Sequence, residues 1–311
     1  MRYLGLAMVA LLPAALFASH SISANGPKTI GRHVALTSAE DGHDTVPVYV
    51  NGKGPYPFIL DSGADQSAVY QWFADSARLK KIAGKDQSLS GQTGSAQVSM
   101  YQLRAVSLAG ITARNLEAYG LPNRRDNGKE AGVIGNDLMD QAIVAFDFPC
   151  RRIEFQPRSA NVDAFIGVKA SPTMTGLDEG TTLLTLPVTI NGAEGIAVLD
   201  TGSRWSRLTP GFAKAARIDT TSHEFSDGEP FYGTSGLKIV PRTGPVGRLE
   251  IGGKVVTNLT AQVVALPMLI QDFGDKPSML LGADVLGRFR FVYDHAARKV
   301  WFLPSSCGAR S

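Results

Sequence analysis

The stretch Phe58-Ile-Leu-Asp-Ser-Gly-Ala-Asp-Gln-Ser-Ala-Val69 decides the reading of this chain. An apolar run leads into Asp61, and a small hydroxylic residue, Ser62, and a glycine, Gly63, follow it. Apolar runs of this kind read as buried strands. Gly63 permits a tight turn directly after the carboxylate. The pattern returns at Ile196-Ala-Val-Leu-Asp-Thr-Gly-Ser203, with Asp200, Thr201 and Gly202 in the same order. A chain that twice ends a buried strand on a carboxylate is able to bring both to one site.

Working outward, the repeat extends well beyond the triplets. Upstream stand Thr45-Val-Pro-Val-Tyr-Val-Asn-Gly52 and Thr185-Leu-Pro-Val-Thr-Ile-Asn-Gly192. Each reads as a strand closed by an Asn-Gly hairpin turn, whose second arm, 57–60 or 196–199, delivers its Asp. Downstream, residues 89–98 carry Gly91 and Gly94, and residues 231–240 carry Gly233 and Gly236. Taken singly these are surface turns. Their recurrence at matching places points to a pair of mobile flaps over a site, with Tyr232 placed either over bound substrate or against a neighbouring strand. Residues 106–111 and 249–254 then read as short strands, broken by glycines and by Asn115 and Asn258. The last block is Ala131-Gly-Val-Ile-Gly-Asn-Asp-Leu-Met139, answered by Ser278-Met-Leu-Leu-Gly-Ala-Asp-Val-Leu286. Each reads as a buried strand, a glycine and a short helix, with Asp137 and Asp284 expected as structural N-caps. Asp147 and Asp294 open turns between the final strands. Asp200 lies 139 positions after Asp61, and Gly282 lies 147 after Gly135, so loop insertions lengthen the second copy.

The boundaries follow from this duplication. Residues 1–24 read as a secretory signal peptide: Arg2 is the positive start, an apolar stretch follows, and Ile22-Ser-Ala24 precedes the cut. The other reading of that stretch is an uncleaved anchor. Residues 25–44 form an N-terminal segment, 45–157 the first lobe, 158–184 a linker, 185–304 the second lobe and 305–311 a tail. The expected location is therefore a periplasm or the exterior, with no stable membrane span after signal removal. A net charge of +3, from 31 basic and 28 acidic residues, gives no basis for nucleic-acid binding. The two cysteines, Cys150 and Cys307, have no metal-ligand spacing; an oxidising compartment permits their pairing, which the sequence leaves open. The five histidines show no ligand spacing either, and neither Gly-x-Ser-x-Gly nor His-Glu-x-x-His occurs. No metal and no cofactor is expected.

These residues resemble the aspartic peptidases, and look closest to retropepsin-like bacterial members carried as two copies in one polypeptide. The resemblance spans about residues 45–304 and rests on Asp61-Ser-Gly-Ala64 and Asp200-Thr-Gly-Ser203, each followed by an apolar-apolar-Gly element at Val133-Ile-Gly135 and Leu280-Leu-Gly282. It implies an all-β fold of two acid-protease β-barrel lobes with short helices, related by a pseudo-twofold axis. It also implies a monomer whose single chain forms a complete site for a peptide or protein substrate. Asp61 and Asp200 would then be the catalytic pair. Ser62 and Thr201 would cross-link the two active loops, and Gly63 and Gly202 would let the backbone approach the carboxylates. The copies differ at Ser203, where the first has Ala64, and the hydroxyl of Ser203 is expected to donate to Asp200. Arg204 and Trp205 follow where the first copy has Asp65 and Gln66. A catalytically inactive peptide-binding module of the same fold is the alternative. Glycoside hydrolysis also employs two carboxylates, but has no use for a duplicated Asp-Ser/Thr-Gly.

Overall fold

In the computed structural model, which describes residues 32–126, 128–166 and 174–307, the two Asn-Gly dipeptides close two hairpins. Asn51 and Gly52 take positive φ (53° and 78°), as do Asn191 and Gly192 (50° and 82°), the turn whose twist suits a hairpin. Asp44–Val50 pairs antiparallel with Lys53–Leu60, and Thr185–Ile190 with Ala193–Leu199. Along the first arm Val46, Val48 and Val50 are buried while Pro47 and Tyr49 face water, the alternation of a strand covered on one side. The run Phe58, Ile59, Leu60 is buried throughout. It pairs in parallel with Gly132–Ile134, and both faces of the sheet are covered there.

Each hairpin begins a closed six-stranded barrel. The first runs Asp44–Val50, Lys53–Leu60, Gly132–Ile134, Ala68–Tyr70, Ile111–Leu121 and Met100–Leu108, and the last strand pairs back to the first. The second runs Thr185–Ile190, Ala193–Leu199, Ser278–Leu281, Arg207–Leu208, Lys254–Val263 and Arg242–Ile251, closing the same way. The strand order is the same in both, so the molecule is two copies of one all-β lobe with short helices. One expectation is corrected. The strands do not break at Asn115 and Asn258 but run through them for 11 and 10 residues. Both Asn residues sit at positive φ (55° and 53°), a conformation Asn tolerates within a continuing ladder.

A third sheet joins the lobes in the order Arg32–Ala35, Arg152–Pro157, Ala142–Asp147, Arg290–Asp294, Lys299–Leu303, Met174–Thr175. At its centre Ala142–Asp147 of one lobe pairs antiparallel with Arg290–Asp294 of the other. The Phe146 and Phe291 rings stack there at 4.8 Å, sealed from water. This continuous ladder fixes how the lobes face each other. Cys150 and Cys307 form a disulfide that ties the turn after Asp147 to the C-terminal tail. The segment read as a linker supplies a short helix, Val162–Ile166, and the edge strand Met174–Thr175. The secretory-signal reading of residues 1–24 lies outside the described residues, as do 25–31 of the N-terminal segment, 167–173 of the linker and 308–311 of the tail. Among the described residues no helix is long and apolar enough to cross a membrane.

Candidate active site

Each of the two Asp residues sits one step beyond its strand. The backbone N–H of Asp61 donates to Ile134 O (2.9 Å) and that of Asp200 to Leu281 O (3.1 Å), so the ladder holds both backbones as they leave the sheet. The short helices Asn136–Met139 and Ala283–Leu286 then dock end-on against the active loops. Asn136 N–H donates to Ala64 O and Asp137 N–H to Asp65 O; Ala283 N–H donates to Ser203 O and Asp284 N–H to Arg204 O. The N-cap expectation for Asp137 and Asp284 is corrected: Gly135 and Gly282 hold the cap positions, and each Asp lies within the first turn. Asp137 accepts from the Ser67 hydroxyl (2.6 Å) and Asp284 from that of Ser206 (2.7 Å). Those hydroxyls in turn accept from the N–H of Gly135 and of Gly282. The two Asp residues thus brace the loops rather than cap the helices.

Two hydroxyls lock the loops together. Thr201 Oγ1 donates to Leu60 O (2.6 Å) and accepts from Ser62 N–H (3.0 Å). Ser62 Oγ donates to Leu199 O (2.8 Å) and accepts from Thr201 N–H (3.1 Å). Asn136 Nδ2 donates to Ser62 O, and the Tyr293 hydroxyl donates to Asn136 Oδ1 (2.9 Å), which links the loops to the sheet below. The lock brings each carboxyl over the opposite glycine. A Cβ on Gly63 would lie 2.8 Å from Asp200 Cγ, and one on Gly202 would overlap the Asp61 carboxyl. Only glycine permits that approach.

The Asp61 and Asp200 carboxyls are thereby close enough to share a hydrogen bond. Asp61 is pushed well above the usual carboxylate value by loss of hydration and then by the charge of Asp200, against the Gly63 and Gly202 N–H groups that favour its ionised form. Asp200 is also raised by loss of hydration, but here the Arg207 guanidinium pulls the other way, joined by Asp61 and by backbone N–H donors. Two carboxyls at contact cannot both ionise cheaply, so the pair retains a proton. Such a pair combines a base and an acid at one point.

The two glycine-punctuated segments form hairpins whose tips meet near this pair. Gln87–Gly91 pairs with Gly94–Val98, and Phe231–Tyr232 with Lys238–Ile239. Their tips interlock: Gly233 N–H donates to Thr93 Oγ1 (3.1 Å), Thr93 Oγ1 and Ser235 Oγ lie 2.8 Å apart, and the Ser235 hydroxyl donates to Thr93 O. From the first tip Gln92 reaches down. Its Nε2 donates to Asp200 Oδ2 (3.1 Å), and its Oε1 accepts from Arg207 (2.6 Å). Tyr232 lies on the second hairpin. Its ring is 42% exposed under the Arg125 guanidinium, and its neighbour Phe231 faces inward over Arg207 instead. The expected Ser203 bond is also corrected. Its hydroxyl donates to Trp205 O (2.9 Å) and accepts from Arg207 Nη1 (2.6 Å), while only its backbone N–H favours ionised Asp200.

Gln92, Thr93, Phe231, Ser235 and Arg207 escaped the reading of the sequence. A side-by-side comparison of the copies holds a signal for Arg207, because by strand register it occupies the place of Ala68. A buried strand position with a methyl in one copy and a guanidinium in the other marks an asymmetric site. Gln92 carries no such mark, since a polar residue at a hairpin tip is ordinary. A family model described as "Aspartyl protease" matches the chain twice, over residues 46–138 and 186–285. No curated protein matches it significantly.

Proposed function

Because the chain belongs to the aspartyl protease family, we propose that it is an aspartic endopeptidase whose catalytic pair is Asp61 and Asp200. The observation that carries this is the reciprocal seating of each carboxyl over the other loop's glycine, fixed by the Ser62–Thr201 lock. Peptide hydrolysis without a covalent intermediate requires one group to take a proton from water and another to give a proton to the carbonyl oxygen. The ionised member takes the water proton as the C–O bond forms, and the protonated member completes a gem-diol. The proton just taken then passes to the leaving nitrogen as the C–N bond breaks, and a diol proton returns to the pair. A pair sharing one proton performs both steps, as is established for aspartic proteases as a class.

Gln92 supports an amide as the group bound here, since its own carboxamide already lies between Asp200 and Arg207. The hairpin flaps suit an extended peptide held by main-chain pairing. Both halves stand in one chain, so we take the working unit to be a monomer. We place it in a periplasm or outside the cell, a compartment in which the Cys150–Cys307 disulfide persists. The test is cleavage of a peptide library by the mature protein, with Asp61→Asn and Asp200→Asn controls and a statine-type inhibitor. Cleavage that both substitutions abolish and the inhibitor blocks is the expected result. Peptide binding without turnover, unaffected by either substitution, would turn the reading to the inactive binding module.

The interlocked tips must part before a substrate enters, so the closed state lowers apparent affinity. Ser235→Ala removes two of the tip bonds, each worth about 0.5–1.5 kcal/mol net. KM is expected to fall by roughly five- to 150-fold with kcat little changed. Steady-state kinetics on one cleaved peptide checks this, and an unaltered KM would mean that the same bonds re-form over bound substrate.

A further inference from the structure

Arg207 has no counterpart in the first lobe and is buried, only 6% exposed. Strand register places it opposite Gln262 and Leu280, where the first copy has Ala68 opposite Tyr119 and Val133. Nε and Nη1 of its guanidinium hold it in place. Nε donates to Gln262 Oε1 (2.8 Å), Nη1 donates to Ser203 Oγ and Gln92 Oε1 (2.6 Å each), and the Phe231 ring lies 4.0 Å away. Gln262 and Ser203 belong to its own lobe, so the guanidinium stays in place when the first flap lifts Gln92 away. The charged groups that act on it are Asp200, Asp284 and Arg204. Gln262, Gln92, Phe231 and Leu280, from the surrounding strands and flaps, carry no charge. Asp284 is already engaged by the Ser206 hydroxyl and N–H. Of the two carboxylates, Asp200 acts on the guanidinium the more strongly, and the Gln92 carboxamide bridges the two.

We propose that Arg207 is a positioning residue for the pair: its buried cation holds Asp200 as the ionised member and leaves the shared proton on Asp61. Two loops built on the same Asp-Ser/Thr-Gly frame are thereby made unequal. Asp200 becomes the base that takes the water proton, and Asp61 the acid that gives its proton to the carbonyl oxygen. Burial lowers Arg207 itself to about 10, so it keeps its charge through acid and neutral pH. An opposite charge at close range lowers a carboxyl by about 1–3 pH units, and that support is absent at Asp61. The inference rests on the catalytic pair proposed above.

Two measurements separate its failure from failure of that pair. In 13C-carboxyl NMR of Asp-labelled wild type, Asp200 is expected to ionise at lower pH than Asp61. That reading needs no turnover, and Asp61 ionising first would overturn the proposal. In pH profiles of kcat/KM, Arg207→Met is expected to move the acidic limb up by about one unit or more. Arg207→Lys, which keeps the charge but loses the fork of donors, leaves the limb near its wild-type position. An Arg207→Met enzyme with lower kcat/KM and an unmoved limb would reduce Arg207 to a packing role. If Arg207→Met does not fold, Arg207→Gln serves in its place, and the wild-type titration stands by itself.

Discussion

Asp61→Asn is expected to lose cleavage by about a hundred- to ten-thousandfold in kcat/KM, the range a positioned acid or base contributes. Its stability should respond in the opposite sense. Asparagine still offers Oδ1 to the Gly63 N–H that Asp61 now binds at 2.8 Å, so the loop loses little. What disappears is a carboxyl whose folded-state pKa lies well above the ordinary value of 3.8, through lost hydration and the neighbouring Asp200 charge. In wild type the folded state keeps a proton that the unfolded chain releases above about pH 4. Rising pH therefore favours unfolding from that point up to the raised folded-state value. The Asn variant is free of this penalty. Its melting temperature should approach that of wild type at acid pH and exceed it increasingly toward neutrality. Melts across that range check the claim; a gap that narrows with pH would mean that Asp61 is ionised in the fold and that the proton lies elsewhere.

The contrast between what the sequence disclosed and what it hid has a physical basis. Asp61 and Asp200 were legible because the chain carries its own control. A turn Asp behind one buried strand is commonplace, whereas the same Asp behind matching strands in matching order is not. The barrels followed from the same comparison, since Val46, Val48 and Val50 repeat as Leu186, Val188 and Ile190. The misreadings lie where a local rule competed with a long-range partner. Asp137 and Asp284 look like caps by position, yet the serines of the active loops, 70 and 78 residues earlier in the chain, claim their side chains. The Ser203 hydroxyl lies close in sequence to Asp200 and is nevertheless taken up by Trp205 O and Arg207. Asn115 and Asn258 look like breakers because Asn favours turns, but a ladder bonded on both sides of them carries through. Arg207 and Gln92, 115 positions apart, meet at the pair only after the chain between them has closed a barrel and folded back a flap. No spacing rule reaches that far.

The Thr201 hydroxyl is the site of the second large effect, because it joins halves of the molecule that must hold two carboxyls in register. Thr201→Val preserves shape while removing the hydroxyl, so the Leu60 carbonyl loses a donor and the Ser62 N–H loses its acceptor. Both lie in a buried region, Ser62 having no exposed surface at all. A buried polar group left unpaired costs about 1–3 kcal/mol, so urea unfolding should show a loss of about 2–6 kcal/mol for the two. Thr201→Ser restores the hydroxyl and should recover most of that loss. Ser62→Ala strips the matching bonds to Leu199 O and Thr201 N–H. Once either hydroxyl is gone the loops relax apart, so the double variant should lose less than the sum of the singles, by at least about 0.5 kcal/mol. Activity should suffer more steeply than stability. The carboxyls owe their contact to this lock, and a displacement of about 1 Å in a catalytic group can cost a hundredfold in rate. A Thr201→Val enzyme that unfolds more readily yet turns over at the wild-type rate would show that the shared sheet at Phe146 and Phe291, and not the hydroxyl pair, sets the geometry of the site.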